Sequence, residues 1–178
     1  MMESRPTIYL MCGLAFSGKS TLAARVAERI DACVVSLDQI NASRGLHGGL
    51  GIPTEEWARS HRQALEQTEH LLHAGRSVIV DDTNCYRWMR EDYRQVAARC
   101  GGVSAIIYMD VPVELAMERT RTNQRTRERH PVKVEILADL ADHFEKPGAD
   151  ENVLVFHRDD SIDSWLSAHF RTSMEDSE

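Results

Sequence analysis

The stretch Gly13-Leu14-Ala15-Phe16-Ser17-Gly18-Lys19-Ser20 has the glycine spacing and the Lys-Ser pair of a phosphate-binding P-loop. The apolar run 7–12 before it predicts a buried strand, and an apolar stripe over 22–30 predicts a helix after it. This context suits phosphate binding, because the backbone N–H groups of the loop and the N-terminus of the helix both attract an anion. The stretch therefore predicts a nucleoside triphosphate site.

The residues of this loop have distinct expected roles in holding the triphosphate. The Lys19 side chain is expected to reach the β- and γ-phosphates, and the Ser20 hydroxyl is expected to bind Mg²⁺. Backbone N–H groups and the first side chains of the helix supply the remaining contacts. The predicted triphosphate-binding set is Gly13, Ala15, Phe16, Ser17, Gly18, Lys19, Ser20 and Thr21.

Strand-like and helix-like segments alternate along the chain, which predicts an α/β fold with a mostly parallel sheet of about five strands flanked by helices. The length of 178 residues, without a repeat or linker pattern, predicts one domain over 1–178 with a frayed polar tail at 172–178. The predicted strands are 7–12, 33–37, 77–80, 103–109 and 153–156.

Charge and hydropathy limit the classes of function. The net charge of −7 disfavours a surface built throughout for nucleic acid, although one local basic strip could still bind it. No run of 18 apolar residues is present, and no signal-peptide pattern is visible at 1–6. The sequence therefore predicts a soluble cytoplasmic protein.

Three aspartates follow the second and third predicted strands, where the ligands of parallel sheets bind. For Asp38 we favour the role of proton acceptor from an attacking hydroxyl, because a long loop that could hold a substrate follows it. Asp81 follows an apolar strand, and we favour Mg²⁺ binding or P-loop support for it. Asp82 and Asn84 come next and are expected to contact the substrate. A helix cap or a turn is the alternative role for each single aspartate.

Residues 41–53 are predicted to form a glycine-rich loop beside this site. A loop of this length in a small domain is more often functional than passive, although a flexible connection is the alternative. Arg44 and His47 lie in it, and both are candidate substrate-binding residues.

A basic stretch follows the fourth predicted strand and its helix, and it contrasts with the acidic balance of the chain. It is expected to form a lid at about 119–131 that covers the triphosphate and neutralises charge in the transition state. A contact for a polyanion such as RNA and a solvated helical face are the alternatives. Its basic residues are Arg119, Arg121, Arg125, Arg127, Arg129 and Lys133.

Taken in order, these motifs resemble a family of P-loop kinases that includes polynucleotide 5′-kinases, seryl-tRNA kinases, chloramphenicol phosphotransferases and zeta-toxin-like kinases. The resemblance covers roughly residues 7–157. Its parts are GxxxxGKST at 13–21, Leu37-Asp38 with Arg44, Asp81-Asp82-Thr83-Asn84 with Tyr86-Arg87-x-Met89-Arg90, the basic stretch, Pro131-Val132, Phe144-Glu145-Lys146-Pro147, and Asp150-Glu151.

The resemblance implies ATP and Mg²⁺ as cofactors and transfer of the γ-phosphoryl group to a hydroxyl. It implies that Asp38 activates the acceptor, and that lid arginines serve the reaction. Among the lid arginines, Arg121 and Arg125 are assigned to catalysis and Arg129 to the triphosphate.

The chain departs from the nucleic-acid kinases at one position. They place an arginine three residues after the acceptor-activating aspartate, whereas Asn41 stands there in this chain. A small-molecule acceptor is therefore the favoured prediction. A polynucleotide 5′-hydroxyl or a seryl-tRNA is the alternative, and an ATP-operated switch without an acceptor is a more distant one.

Overall fold

The structure is a computed structural model that describes residues 5–46, 52–126 and 132–170. Five parallel strands form one sheet in the order β2-β3-β1-β4-β5. The strands are β1 (Thr7–Cys12), β2 (Cys33–Ser36), β3 (Val78–Asp81), β4 (Val103–Asp110) and β5 (Val153–His157). The helices are α1 (Lys19–Ile30), α2 (Leu37–Ser43), α3 (Thr54–His73), α4 (Arg87–Arg99), α5 (Val113–Thr126), α6 (Val134–Asp142) and α7 (Ile162–His169), with a 3₁₀ turn at Ala149–Glu151.

Alternating side chains of the strands fill two cores, one on each face of the sheet. Leu10 of β1 and Val80 of β3 pack on the face that α2, α3 and α4 cover, with Tyr93 of α4 fully buried among them. Met11 and Ile79 point to the other face, which α1 and α7 cover. Because β1 and β3 are buried on both faces, the loops at their carboxyl ends are held in fixed positions.

The sequence placed the five strands and most helices correctly, but the segment after β2 differs. Residues 37–43 form α2, so the predicted loop 41–53 begins later than expected. The Ser36 hydroxyl accepts a hydrogen bond from the Gln39 N–H at 3.4 Å and caps the helix, while Leu37 and Ile40 bury its apolar side. This short helix was missed because glycines further along the loop dominate the local pattern.

The predicted lid at 119–131 divides between two parts of the structure. Residues 119–126 continue α5 as helix, and residues 127–131 lie outside the described residues. The next helix, α6, begins at Val134. The predicted tail 172–178 and His47 also lie outside the described residues. Within the described part of the chain, no helix has the length and apolar character needed to span a bilayer.

Candidate active site

The P-loop connects β1 to α1, and two of its glycines adopt conformations that other residues rarely adopt. Gly13 has φ +151° and Gly18 has φ +100°. A Cβ atom on Gly13 would lie 3.0 Å from the Cβ of Met109, so the loop also needs glycine there for space. The Gly13 N–H donates to the carbonyl of Thr83 at 3.0 Å. The start of the P-loop is therefore tied to the turn that follows β3.

Lys19 is the first residue of α1, and its side chain is 8% exposed. Its Nζ donates to the carbonyl of Leu14 at 2.7 Å, within the P-loop itself. Burial lowers the pKa of the Lys19 ammonium, and the negative charges of Asp81 and Asp82 act in the opposite direction. The first turn of α1 carries no acidic residue, so the positive end of the helix remains available to an anion.

The residues of the P-loop and of the adjacent strand end fit a triphosphate with Mg²⁺. The Oγ of Ser17 is buried without a hydrogen-bond partner among the described residues, and a phosphate oxygen would satisfy it. Ser20 is exposed on the first turn of α1, and Asp81 ends β3 close enough to act electrostatically on Lys19. Mg²⁺ bound together with substrate phosphates takes one or two protein oxygen ligands and waters. A hydroxyl from Ser20 and a carboxylate from Asp81 match that requirement.

The three predicted aspartates converge on this site. Asp38 is exposed in the first turn of α2, and its charge acts on both Lys19 and Asp82. Asp82 is half-buried, and its Oδ1 accepts from the Thr83 N–H at 2.6 Å. Burial raises the pKa of the Asp82 carboxyl, although that N–H and Lys19 counteract it. The charges of three carboxylates at the carboxyl ends of β2 and β3 therefore act on one ammonium.

Asn84 lies in the core, where it has no path to a substrate. Its side chain is 0% exposed, and its Nδ2 donates to the carbonyl of Met11 at 2.8 Å. Its main-chain carbonyl accepts from Nη1 of Arg90 at 2.9 Å and from the Cys12 thiol at 3.4 Å. The predicted substrate contact of Asn84 is therefore wrong. The buried side chain instead links the turn after β3 to the end of β1.

Arg90 holds this turn through a buried ion pair with Glu151. The Arg90 Nε lies 2.8 Å from one carboxylate oxygen of Glu151, and Nη2 lies 3.1 Å from the other. The side chains are 2% and 7% exposed. Burial acts to raise the pKa of Glu151, but the Arg90 hydrogen bonds and the Gly148 N–H outweigh it, so the pKa is lowered. Two motifs distant in sequence, 86–90 and 150–151, therefore bind each other.

Replacing Glu151 by glutamine is expected to destabilise the protein by about 3–5 kcal/mol, because the Arg90 guanidinium then stays buried without its counter-charge. Since the folded pKa of Glu151 is lowered, its stabilisation is present above the unfolded pKa of about 4.3 and is lost as pH falls through the folded value. Urea unfolding at several pH values measures both effects. Asp150→Asn is the matched control, because its pair with Arg87 is exposed. An equal loss in both variants would contradict the prediction.

Arg44 is occupied by contacts with α3, although the sequence suggested a substrate contact. Its Nη1 donates to the Glu56 carbonyl at 2.8 Å and to Ser60 Oγ at 2.5 Å, and its Nη2 pairs with the Glu56 carboxylate. Ser60 also donates to the side chain of Asn41, which is 4% exposed. This network fixes α2 against α3. It also explains the asparagine at position 41, since the side chain there faces inward.

The arginines of α5 point in different directions. Nη1 of Arg119 donates to the carbonyl of Phe16 at 3.0 Å and so reaches the P-loop. A helix turns by about 100° per residue, which places Arg121 and Arg125 on the side of α5 opposite its buried residues. Both side chains are exposed, and Arg129 lies outside the described residues. The sequence did not single out Arg119 as the contact with the P-loop, although the buried positions 116, 120 and 123 define the inner face of the helix.

A cluster of buried polar side chains near Asp82 was not predicted from the sequence. His61 of α3 is 8% exposed and contacts Tyr93 edge-to-face, with ring centroids 5.5 Å apart. Its Nε2 lies 2.9 Å from a carboxylate oxygen of Asp92. Three of the five buried side-chain atoms that lack a hydrogen-bond partner among the described residues belong to this cluster, and each such atom costs about 1–3 kcal/mol. They are His61 Nδ1, Asp82 Oδ2 and the Tyr93 hydroxyl.

Comparison with known proteins identifies related sequences and folds. The model of the AAA_33 family, described as an AAA domain, matches residues 8–147. The chain is 26% identical over 151 residues to the L-seryl-tRNA(Sec) kinase of Methanococcus maripaludis, which covers 79% of this chain and 53% of that kinase. The chain thus spans about half the length of that relative.

Solved structures share the fold. One is the APS kinase CysC of Mycobacterium tuberculosis in complex with AMPPNP and APS, with a TM-score of 0.68 and 19% sequence identity. The aligned region covers 93% of this chain and 95% of the CysC chain. Kti12 of Chaetomium thermophilum, in complex with ADP-AlF3, has a TM-score of 0.73 at 18% identity, with coverages of 90% and 94%. The predicted α/β fold and the predicted resemblance are both confirmed, and the chain belongs to the AAA_33 family of P-loop kinase domains.

Proposed function

We propose that the chain transfers the γ-phosphoryl group of ATP to a hydroxyl of a small-molecule acceptor, with Mg²⁺ as cofactor. One observation carries this proposal: Lys19 in the P-loop lies within the electrostatic reach of Asp38, Asp81 and Asp82. A phosphate cradle and candidate groups for Mg²⁺ and for an acceptor proton therefore occur together. The family of the chain supports phosphoryl transfer as the reaction.

In the proposed reaction, the acceptor oxygen attacks the γ-phosphorus while the bond from that phosphorus to the β,γ-bridging oxygen breaks, and ADP leaves. The hydroxyl proton passes to the Asp38 carboxylate. Lys19, the P-loop N–H groups and Arg119 stabilise the charge of the transferring group. Ser20 and Asp81 would hold Mg²⁺, which neutralises charge on the β- and γ-phosphates. Positioning and charge stabilisation supply most of the acceleration in this class of reaction.

A nucleic-acid acceptor is the second candidate, and the seryl-tRNA kinase relative is the observation that favours it. An open groove of about 690 Å³ at the N-terminus of α4 has a basic lining that could receive a polyanion. Its arginines, however, already have carboxylate partners: Arg87 pairs with Asp150, Arg90 with Glu151 and Arg94 with Glu91. A phosphate backbone would have to compete with these partners, and so the groove gives a nucleic-acid acceptor little support.

The function is tested by transfer of label from [γ-³²P]ATP to sets of acceptors: uncharged polyols, nucleosides, aminoglycosides, oligonucleotides with a free 5′-hydroxyl, and seryl-tRNA. Labelled product from an uncharged small molecule is expected. Label found only on an oligonucleotide or on tRNA would overturn the choice of acceptor while leaving the kinase assignment intact. If the protein were instead an ATP-operated switch, it would hydrolyse ATP at a rate that none of these acceptors changes.

Arg121 and Arg125 were assigned to catalysis from the sequence, whereas Arg119 is the arginine of α5 that contacts the P-loop. Substitution of each arginine tests which of them serves the reaction. Replacing Arg119 by alanine is expected to lower kcat about 10²–10³-fold with little change in acceptor KM, because Arg119 contacts the P-loop. Arg121→Ala and Arg125→Ala serve as matched variants on the opposite side of the helix, and smaller effects are expected for both. Steady-state kinetics of the three variants measures this. A larger loss in Arg125→Ala than in Arg119→Ala would restore the roles predicted from sequence.

A further inference from the structure

We propose that Arg90 is a positioning residue: it holds the end of β3, with Asp81 and Asp82, in place against the P-loop. Arg90 thereby controls how tightly the site binds a nucleotide together with Mg²⁺. This inference rests on the proposed triphosphate and Mg²⁺ site and names a residue that acts on it from outside. Arg90 lies in the first turn of α4, and its side chain is 2% exposed, so it acts through the main chain and not by touching a ligand.

The two carboxylates lie beyond the part of β3 that β1 fixes. Pairing of β3 with β1 ends at Val80, which lies opposite Leu10. Asp81 pairs with Ser36 of β2, on the side of β3 away from the strand that leads into the P-loop. The position of the carboxylates relative to the P-loop therefore depends on how the turn at 82–85 is held.

Three successive main-chain carbonyls of this turn accept hydrogen bonds from three different parts of the chain. The donors belong to the P-loop, to α4 and to the segment that follows α6. In chain order, the bonds are Gly13 N–H to Thr83 at 3.0 Å, Arg90 Nη1 to Asn84 at 2.9 Å, and Glu145 N–H to Cys85 at 2.9 Å. The turn is thus a junction, and a shift at α4 would also move the carbonyl that binds the P-loop.

The Arg90 guanidinium joins two of these parts to each other. Besides the Asn84 carbonyl, Nη1 donates to the Glu145 carbonyl at 3.0 Å. Its Nε and Nη2 bind the two carboxylate oxygens of Glu151 at 2.8 and 3.1 Å. Because the guanidinium is planar and its donors have fixed directions, the pair with Glu151 orients Nη1 toward the turn. A lysine could pair with Glu151, but its single ammonium on a flexible stem would not reproduce this fork.

Asn84 is the residue of the turn on which Arg90 acts. Its φ of +42° is left-handed, a conformation that asparagine tolerates better than most residues other than glycine. Its side-chain Nδ2 donates to the Met11 carbonyl at 2.8 Å. The side chain therefore fixes the turn to β1, while the main-chain carbonyl fixes it to α4.

The alternative is that Arg90 only stabilises the fold through its ion pair with Glu151. A loss of stability alone would lower nucleotide binding to the same extent with and without Mg²⁺. A displaced turn would move Asp81, the proposed carboxylate ligand of Mg²⁺, and would therefore weaken binding more when Mg²⁺ is present. The quantity that separates the two is the factor by which Mg²⁺ increases the affinity for a nucleotide, here called the Mg²⁺ factor.

The test is isothermal titration of the full chain with AMPPNP, once with Mg²⁺ and once with EDTA. Mg²⁺ is expected to tighten binding to the wild type. Arg90→Lys is expected to lower the Mg²⁺ factor about 10-fold, while the affinity in EDTA changes by less than about 3-fold. Arg94→Lys is the matched control, because Arg94 lies one turn further along α4 in an exposed pair with Glu91, and both affinities should stay unchanged.

Asn84→Gly is the second variant, since glycine keeps the left-handed turn and removes the bond to the Met11 carbonyl. It is expected to lower the Mg²⁺ factor in the same way, and it decides the question if Arg90→Lys does not fold. Urea unfolding of each variant monitors stability.

The positioning role would be overturned if the Mg²⁺ factor of Arg90→Lys were unchanged, or if the affinity fell equally in both conditions. Loss of folding in both variants would show a purely structural role and overturn it as well. Because the titration contains no acceptor and measures no turnover, its outcome is independent of phosphoryl transfer. A Mg²⁺ factor that depends on Arg90, without labelled product from any acceptor, would contradict the kinase proposal alone. Transfer by a chain whose Mg²⁺ factor ignores Arg90→Lys would contradict the positioning role alone.

Discussion

Lys19→Ala is expected to lower phosphoryl transfer more than about 100-fold and to weaken ATP binding, because it removes the cation from the phosphate cradle. The same variant is expected to keep or increase its free energy of unfolding at neutral pH. Burial lowers the pKa of Lys19 in the folded protein, so the unfolded chain binds more protons, and the wild type gains stability as pH rises toward the unfolded pKa of about 10.4. The free energy of unfolding of Lys19→Ala should not show this increase with pH.

Kinetics, ATP titration and urea unfolding across pH measure these effects. Lys146→Ala is the matched control, because Lys146 is an exposed lysine outside the P-loop. Turnover by Lys19→Ala at the wild-type rate would refute the role of the P-loop. Loss of activity accompanied by an equal loss of stability would show that the lysine acts through folding.

Asp38→Asn is expected to lower kcat by about 10²–10⁴-fold while ATP affinity stays within a few fold. The substitution keeps the size of the side chain and removes the carboxylate that would accept the hydroxyl proton. Asp38 is exposed in the first turn of α2, so its stability contribution should be small. Steady-state kinetics and ATP titration measure the two quantities separately.

Asp31→Asn is the control for this variant, because Asp31 is exposed at the end of α1 and asparagine tolerates its left-handed conformation. Asp81→Asn gives the contrasting pattern, since a Mg²⁺ ligand should affect the binding of ATP with Mg²⁺. Should Asp38→Asn lose binding of that complex too, Asp38 would act as a metal or structural ligand, and Asp81 would become the candidate base.

The sequence was sufficient for the P-loop, the five strands and the convergence of acidic residues, because each depends on local pattern. Apolar runs of 4–8 residues define the strands of a buried parallel sheet, and the rule that ligands bind at strand ends supplies the location. Lys19 and Asp82 are close in the structure for this reason, although 63 positions separate them in the chain.

Pairwise side-chain contacts were beyond what local patterns reveal. Arg90 and Glu151 were both recognised as parts of motifs, but nothing local indicates that they bind each other. Arg44 carried a charge suited to a substrate, and only the packing of α2 on α3 directs it to Glu56. In the sequence, Arg119 is one of several arginines in a basic stretch. Only the buried side of α5 shows that its side chain is directed toward the P-loop.

The polar cluster was missed for a related reason. A histidine and a tyrosine at apolar positions of helices are most often core residues, and both His61 and Tyr93 fit that pattern in sequence. Their significance depends on hydrogen-bond partners that they lack in three dimensions. No sequence pattern reports a missing partner.

Whether the γ-phosphoryl group ends on a hydroxyl or on water is measured most directly by ³¹P NMR of a reaction containing the protein, ATP, Mg²⁺ and uncharged hydroxyl acceptors. Phosphoryl transfer predicts a phosphomonoester resonance that grows in step with ADP, with little inorganic phosphate. ADP accompanied by an equal amount of inorganic phosphate, whatever acceptor is present, would contradict the proposed kinase function.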